Sequence, residues 1–162
     1  MVNTVRGTAA SPGRRHASVA LIAAGSLFAS VAHAGLGETV DSVRRDHEAL
    51  HGTTLTVTPM QAYDIHETTL ADGSTVRQYV SHSGTVFAVA WSGRGLPSLR
   101  VLLAKHYDDY VTAAAAHRGS HHVFNVATPD LVVSITRITR ASSGRVHVPA
   151  LVPAGTSVQE LR

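Results

Sequence analysis

DGSTVRQYVSHSGTVFAVAW, residues 72–91, contains the pattern that decides the fold. Asp72-Gly73 is a dipeptide typical of tight hairpin turns, and Ser83-Gly84 supplies a second turn one strand length later. The segments after the two turns, residues 74–81 and 85–91, have the alternating or apolar composition of β-strands. Two tight turns that join such segments predict an antiparallel meander.

The segments around this meander predict more strands and two helices. Residues 54–58 and 61–70 read as strands before the first turn, and residues 122–127, 131–139 and 145–148 as short strands after it. Between these groups lies a segment with apolar residues at helical spacing, residues 98–117. A shorter amphipathic pattern, with Gly52 as its stop, predicts an N-terminal helix over residues 38–51.

These elements together predict the α+β class. We expect a mostly antiparallel β-sheet built as a meander of hairpins, with one long amphipathic helix packed on it and a short N-terminal helix. The sequence has no internal repeat and no linker long enough to divide it after the leader described next. We therefore expect one domain over residues 35–162.

The first 34 residues have the composition of an export signal. Arg6, Arg14 and Arg15 precede an uncharged apolar stretch, residues 17–30, and Ala32-His33-Ala34 matches the A-x-A pattern that signal peptidase cleaves. We expect cleavage near Ala34 and a mature protein in the periplasm or the medium. An uncleaved membrane anchor and twin-arginine export are the alternatives for this segment.

The charge and cysteine content exclude several classes of function. Three of the 14 Lys and Arg residues lie in the leader and none of the 11 Asp and Glu residues does, which leaves 11 of each in the mature chain. A neutral domain without a basic face gives no reason to expect a nucleic-acid partner. The chain has no cysteine, which excludes disulfides, thiol catalysis and thiolate metal sites.

His47-Glu48-Ala49-Leu50-His51 matches the H-E-x-x-H pattern of zinc peptidases, in which two histidines one helical turn apart hold the metal. Gly52 follows the second histidine directly, so the long helix of such an enzyme is missing. The metzincin continuation is missing too, and the nearest further ligands are His66 and Glu67 in a predicted strand. We therefore predict no catalytic or cofactor-binding residue and no metal site, with His47 and His51 as a weak alternative.

Two other features have structural explanations. Gly93-Arg94-Gly95 resembles part of a dinucleotide-binding loop, but it follows a hairpin strand and precedes Pro97, so turn chemistry explains it. Tyr79, Phe87 and Trp91 lie in the predicted strands, and we expect them to pack in the core.

A set of short motifs runs through most of the mature chain: TVRQYV (75–80), Gly84, VFAVAW (86–91), PSL (97–99), Leu102-Leu103, LVV (131–133), Val148-Pro149 and LVPAG (151–155). These motifs resemble a family of exported bacterial proteins, the domain of unknown function 2844. The resemblance covers nearly all of the mature chain and departs in the loop of residues 93–96 and at Ser98, where an Asp is expected; either residue can cap a helix. It implies a signal peptide and one uncharacterised domain, and it implies no activity.

These observations predict an exported bacterial envelope protein that acts as a non-catalytic binding or assembly module. The alternative is a metal-binding protein that uses His47 and His51, at its extreme a zinc hydrolase with a degenerate motif. We expect no cofactor, no nucleic acid and no membrane span after cleavage. An envelope protein or a surface polymer is the expected kind of partner.

Overall fold

The computed structural model describes Met1, residues 35–119 and residues 122–162. The predicted leader, apart from Met1, lies outside the described residues. The described residues from 35 onward belong to one compact unit. They form a seven-stranded antiparallel sheet with helices, so the predicted α+β class is confirmed.

The elements follow the chain in a simple order. Helix α1 (Asp41–Ala49) precedes strands β1 (Gly52–Pro59), β2 (Tyr63–Leu70), β3 (Thr75–Ser81) and β4 (Val86–Gly93). Helix α2 (Leu99–Leu103), a 3-10 turn (Ala104–His106) and helix α3 (Tyr107–Ala116) come next. Strands β5 (Val123–Ala127), β6 (Val132–Ile138) and β7 (Ala141–His147) follow, and a 3-10 turn (Pro149–Leu151) opens a final segment, residues 149–162, which we call the arm.

The sheet joins two meanders. Its strand order is β1-β2-β3-β4-β7-β6-β5, and every neighbouring pair is antiparallel. The predicted hairpin turns at Asp72-Gly73 and Ser83-Gly84 connect β2 to β3 and β3 to β4, where both glycines have φ near +80°. The pairing of β4 with β7 brings the second meander beside the first.

The sheet is covered on both faces. On one face, which we call the helix face, Val89, Trp91 and Val146 pack with Val43 of α1 and Leu102 of α2. The opposite face, which we call the arm face, is covered in part by the arm. Tyr79, Phe87, Ala88 and Ala90 lie there in a second apolar cluster with Leu161.

The long predicted helix is interrupted near its middle. Residues 99–116 are helical, but a 3-10 turn separates α2 from α3 and Ala104 has φ +47°. In a continuous helix the Leu102 carbonyl would accept the His106 N–H. Here it accepts the N–H of Leu36 at 2.9 Å, because the buried residues 35–36 lie against this turn.

The N-terminal helix is shorter than predicted, and its buried side includes polar residues. It covers Asp41–Ala49 instead of residues 38–51. Val40 precedes it and is 38% exposed, whereas the polar residues Ser42 and Asp46 are fully buried. His51 lies beyond the helix with φ +54°.

Within the described residues, no helix combines the length and apolarity needed to cross a membrane.

Candidate functional site

The arm face carries a patch of polar side chains at its β6–β7 end. Val133 and Ile135 point to the helix face, so Ser134 and Thr136 point to the arm face, since side chains alternate along a strand. In the register of β6 and β7, Thr136 lies opposite Ser143 and Ser134 lies opposite Arg145. These four side chains form a square of polar groups on two neighbouring strands.

Two arginines and a tyrosine fasten the arm to this face. Arg77 donates from Nη1 to the main-chain oxygen of Arg162 at 2.6 Å, and Arg145 donates from Nη1 to the Val158 carbonyl at 2.7 Å. Tyr79 Oη donates to the Arg162 oxygen at 2.8 Å and accepts the Arg162 N–H at 2.9 Å. Leu161, held between these contacts, is only 2% exposed.

A cleft of about 340 Å³ opens where the end of the arm meets the polar patch. This volume lies at the lower end of the range for small-molecule sites, roughly 300–1,000 Å³. Its lining residues belong to β3, β4, β6, β7 and the arm. The lining residues are Arg77, Trp91, Ser92, Ser134, Thr136, Ser143, Gly144, Arg145, Leu161 and Arg162.

The electrostatics of the cleft depend on which arginines are already paired. Arg77 donates from Nε to Glu67 at 2.5 Å, so its charge is matched by a carboxylate. Arg145 is different, because no Asp or Glu side chain in the described part of the chain lies within 4.0 Å of its guanidinium. Arg145 therefore contributes to the cleft a positive charge that no acidic side chain of the described residues pairs.

Trp91 is the one tryptophan of the sequence, and it connects the cleft to the core. Its side chain is 4% exposed, packs on the helix face and donates from Nε1 to Ser142 Oγ at 3.2 Å. Its ring covers Gly144, the cross-strand neighbour of Trp91. Trp91 therefore packs in the core, as do Phe87 (0% exposed) and Tyr79 (2% exposed), which confirms the prediction for these three aromatics.

The arm contacts give a testable prediction at Tyr79. Its ring packs against Tyr63 and Phe87 at centroid distances of 5.7 Å and 6.2 Å. Tyr79→Phe keeps this packing and removes two hydrogen bonds to Arg162, so we expect the free energy of unfolding to fall by about 1–2 kcal/mol in urea titrations. We also expect limited proteolysis to cut the arm faster.

The matched control for this prediction is Tyr63→Phe. Tyr63 belongs to the same aromatic group, but its hydroxyl has no hydrogen-bond partner among the residues that the structure describes. This variant should therefore change stability by less than about 0.5 kcal/mol. Equal effects of the two substitutions would show that the hydroxyl of Tyr79 does not hold the arm.

The structure separates the residues of the H-E-x-x-H pattern. His47 lies in α1, half-buried, with Nδ1 at 3.4 Å from Thr68 Oγ1, whereas His51 is exposed and outside the helix. Glu67, one of the nearest further ligands in the sequence, points to the arm face, where it pairs with Arg77. Within the described residues no group of three or more His, Cys, Asp or Glu side chains is placed to hold a metal ion.

A buried acid next to this pattern was not identified from the sequence. Asp46 is 0% exposed, and its Oδ2 accepts a hydrogen bond of 2.5 Å from Gln78 Nε2 on β3. Its other oxygen, Oδ1, has no hydrogen-bond partner among the described residues. Burial raises the pKa of Asp46 to about 7, against the smaller opposing effects of the Gln78 hydrogen bond and the Arg45 charge.

The sequence did contain an indication of this burial. Val43, Asp46 and Leu50 follow the three- and four-residue spacing of a helical face, so the inward stripe of α1 includes Asp46. The sequence indicated the cleft more weakly than it indicated the burial of Asp46. Hydroxyl residues at alternate positions of β6 and β7 are also typical of an ordinary exposed sheet face.

The chain matches the sequence model of a known protein family. A sequence model of the family described as "Protein of unknown function (DUF2844)" matches residues 32–161. The chain belongs to this family. The match covers all described helices and strands and most of the arm, so the resemblance found in the sequence is confirmed. Neither the curated proteins nor the solved structures gave a match.

Proposed function

We propose that this family member is exported from the bacterial cytoplasm and that residues 35–162 act as a non-catalytic binding module of the envelope. The cleft between the arm and the polar patch is its ligand site in this proposal. The observation that carries the proposal is the concave site itself, which combines about 340 Å³ of space with an arginine that has no acidic partner in the described chain.

The composition of the cleft supports binding in preference to catalysis. General acid–base catalysis uses His, Asp, Glu, Lys, Cys or Tyr side chains within hydrogen-bond reach of the reacting group. The described residues that line the cleft include none of these types. Ser134, one of its hydroxyls, donates to Asn125 Oδ1 at 2.8 Å and not to a base.

The leader supports the location of the module. A basic start, an uncharged apolar stretch and the Ala32-His33-Ala34 site are together the composition of a cleaved export signal. An exported domain without a cysteine has no disulfide to stabilise it, so its stability depends on packing. The two apolar clusters on the two faces of the sheet supply that packing.

Export gives a direct prediction. When the full chain is produced in bacteria, we expect protein in the periplasm or medium whose N-terminal residue, read by mass spectrometry, is Gly35. Ala34→Arg places a large charged side chain where signal peptidase requires a small one, so this variant should accumulate with its leader attached. Unprocessed protein that stays in the cytoplasm in both cases would contradict export.

The binding part of the proposal has a separate test. We expect the exported protein to sediment with isolated envelope fractions and to be released by salt, because the positive charge of Arg145 attracts anionic surfaces. Protein that remains in the supernatant with every envelope fraction would contradict the binding role.

A further inference from the structure

We propose that the arm-side cleft recognises an oxyanion, a carboxylate or a phosphate, carried on a polyhydroxylated unit of an envelope polymer. This inference rests on the proposed binding function and adds the chemical class of the ligand. Its central element is the square formed by Arg145, Ser143, Ser134 and Thr136 on the arm face of β6 and β7.

The charge of the cleft selects an anion. Of the ten described residues that line the cleft, three are arginines and none has an acidic side chain. Arg77 is already engaged by Glu67 and by the Arg162 oxygen. Among the described residues, Arg145 donates a hydrogen bond only from Nη1, to the Val158 carbonyl, and a guanidinium has five N–H groups in a fork that matches a carboxylate or a phosphate. An oxyanion would therefore find its strongest partner at Arg145.

The hydroxyls beside Arg145 select a ligand with its own hydroxyl groups. Ser143 is two residues from Arg145 on the same face of β7, and Thr136 lies directly opposite Ser143. The hydroxyls of Ser143 and Thr136 have no protein partner in the described part of the chain, and both residues are exposed. Facing side chains on neighbouring strands are about 5 Å apart, so a polyol next to the anion could bond to both.

The aromatic residues argue against a ligand bound by ring stacking. Among the described residues that line the cleft, Trp91 is the only aromatic, and its indole is buried over Gly144 on the helix face. A neutral sugar is commonly held by an exposed aromatic ring, and none is offered here. Charge and hydroxyl contacts are then the main source of affinity, so a single unit should bind weakly and a repeating polymer more tightly.

The experiment measures binding of defined probes to the exported protein, by calorimetry and by the emission of Trp91. The probes are a galacturonic acid trimer for the carboxylate, glycerol phosphate for the phosphate, and a galactose trimer as the uncharged counterpart. We expect at least one charged probe to bind at least tenfold more tightly than the galactose trimer, with an affinity that falls as salt is added. The charged probe that binds more tightly identifies the source of the oxyanion.

The variants separate recognition from the stability of the arm. We expect Arg145→Gln to weaken binding of the charged probe at least tenfold. The double variant Ser143→Ala and Thr136→Val leaves the arm contacts intact and should weaken binding of the charged probe about three- to tenfold. The control is Arg137→Gln, which removes an equal charge from the helix-face side of β6 and should leave binding unchanged.

The results that would overturn the inference are distinct from those that would overturn the proposed function. Binding of the galactose trimer as tight as that of the charged probes would overturn the inference. So would failure of both charged probes, or equal binding by wild-type protein and the double variant. If the protein still sediments with envelope fractions in those cases, the binding function remains and only the ligand class is wrong.

Discussion

The Trp91→Ala protein is expected to lose about 3–5 kcal/mol of its free energy of unfolding, the usual cost of removing a large buried aromatic side chain. Trp91 is 4% exposed and contributes to the larger apolar cluster from the centre of the sheet. The substitution leaves a cavity under the helices and leaves Ser142 Oγ without its indole N–H donor. A domain of this size is stable by only about 5–15 kcal/mol, so the loss is a large share of the total.

The contact between Trp91 and Gly144 makes this prediction specific. An added Cβ at Gly144 would overlap Trp91 Cζ2 and would lie 2.9 Å from the Ser134 carbonyl oxygen. We expect Gly144→Ala alone to cost about 1–3 kcal/mol, because the indole must shift. In the Trp91→Ala background the same change should cost at least about 1 kcal/mol less, since the indole is gone while the carbonyl remains.

Urea denaturation followed by circular dichroism measures all four proteins of this double-mutant cycle. Trp91→Phe is a milder variant that keeps the measurement possible if Trp91→Ala fails to fold. Ser143→Ala is the control next to Gly144, on the exposed arm face, and should change stability by less than about 0.5 kcal/mol. Additive effects of the two core substitutions would show that the indole does not rest on Gly144.

The parts of the fold that could be predicted from the sequence are those fixed by neighbouring residues. The hairpins around Asp72-Gly73 and Ser83-Gly84 depend on turn residues with positive φ, which glycine adopts at little cost. The apolar periodicity of residues 98–117 also predicts a helix correctly in type, because one face must be buried. These signals act over a few residues and are therefore visible in a single sequence.

The errors arise where distant segments compete with local preference. Residues 103–105, Leu-Ala-Lys, are good helix formers, yet the helix breaks there because Leu36 takes the carbonyl of Leu102. In β4, strict alternation would place Phe87 on the same face as Val89 and Trp91. A bulge, in which Tyr79 pairs with Ala88 and Val80 with Val86, moves Phe87 to the arm face instead.

The candidate site was harder to predict than the fold for the same reason. The sequence predicts a short strand over residues 145–148 but indicates no role for Arg145 or Ser143, because their neighbours on β6 and the arm are set by sheet pairing. The most recognisable motif, at His47 and His51, was the least informative. A short pattern has a chance frequency, and the left-handed turn at His51 places this histidine outside the helix on which that motif depends.

Asp46 gives the second large prediction, which is a dependence of stability on pH. Its pKa in the folded protein is about 7, above the ordinary value of 3.8. Between those two values the folded chain binds more protons at this site than the unfolded chain, so stability falls as the pH rises. The contribution of protonated Asp46 to the stability of the fold is fully present below about pH 4 and is lost as the pH rises through about 7.

The size of the effect follows from the pKa difference. At 1.36 kcal/mol per pKa unit, a rise from 3.8 to about 7 corresponds to at most about 4 kcal/mol. We therefore expect Asp46→Asn, which resembles the protonated side chain and keeps an oxygen for Gln78, to be more stable than wild type by about 2–4 kcal/mol at pH 8. The two proteins should have nearly equal stability at pH 4.

Other titrating groups act in the opposite direction and must be separated. Burial lowers the pKa of His66 and of His147, so each of them withdraws stability as the pH falls below about 6.5. His66 is also the cross-strand neighbour of Gln78, the partner of Asp46. The difference between wild type and Asp46→Asn at each pH cancels the histidine contributions to the extent that they are independent of Asp46.

Thermal and urea unfolding from pH 4 to pH 8 test the prediction, with Asp130→Asn as the control. Asp130 is an exposed carboxylate in the loop before β6, and its substitution should leave the pH profile parallel to that of wild type. A difference between wild type and Asp46→Asn that stays constant over this range would mean that Asp46 has an ordinary pKa in the folded protein. The expected profile also means that this fold is most stable on the acidic side of neutrality, down to the pH at which the histidines begin to oppose the effect of Asp46.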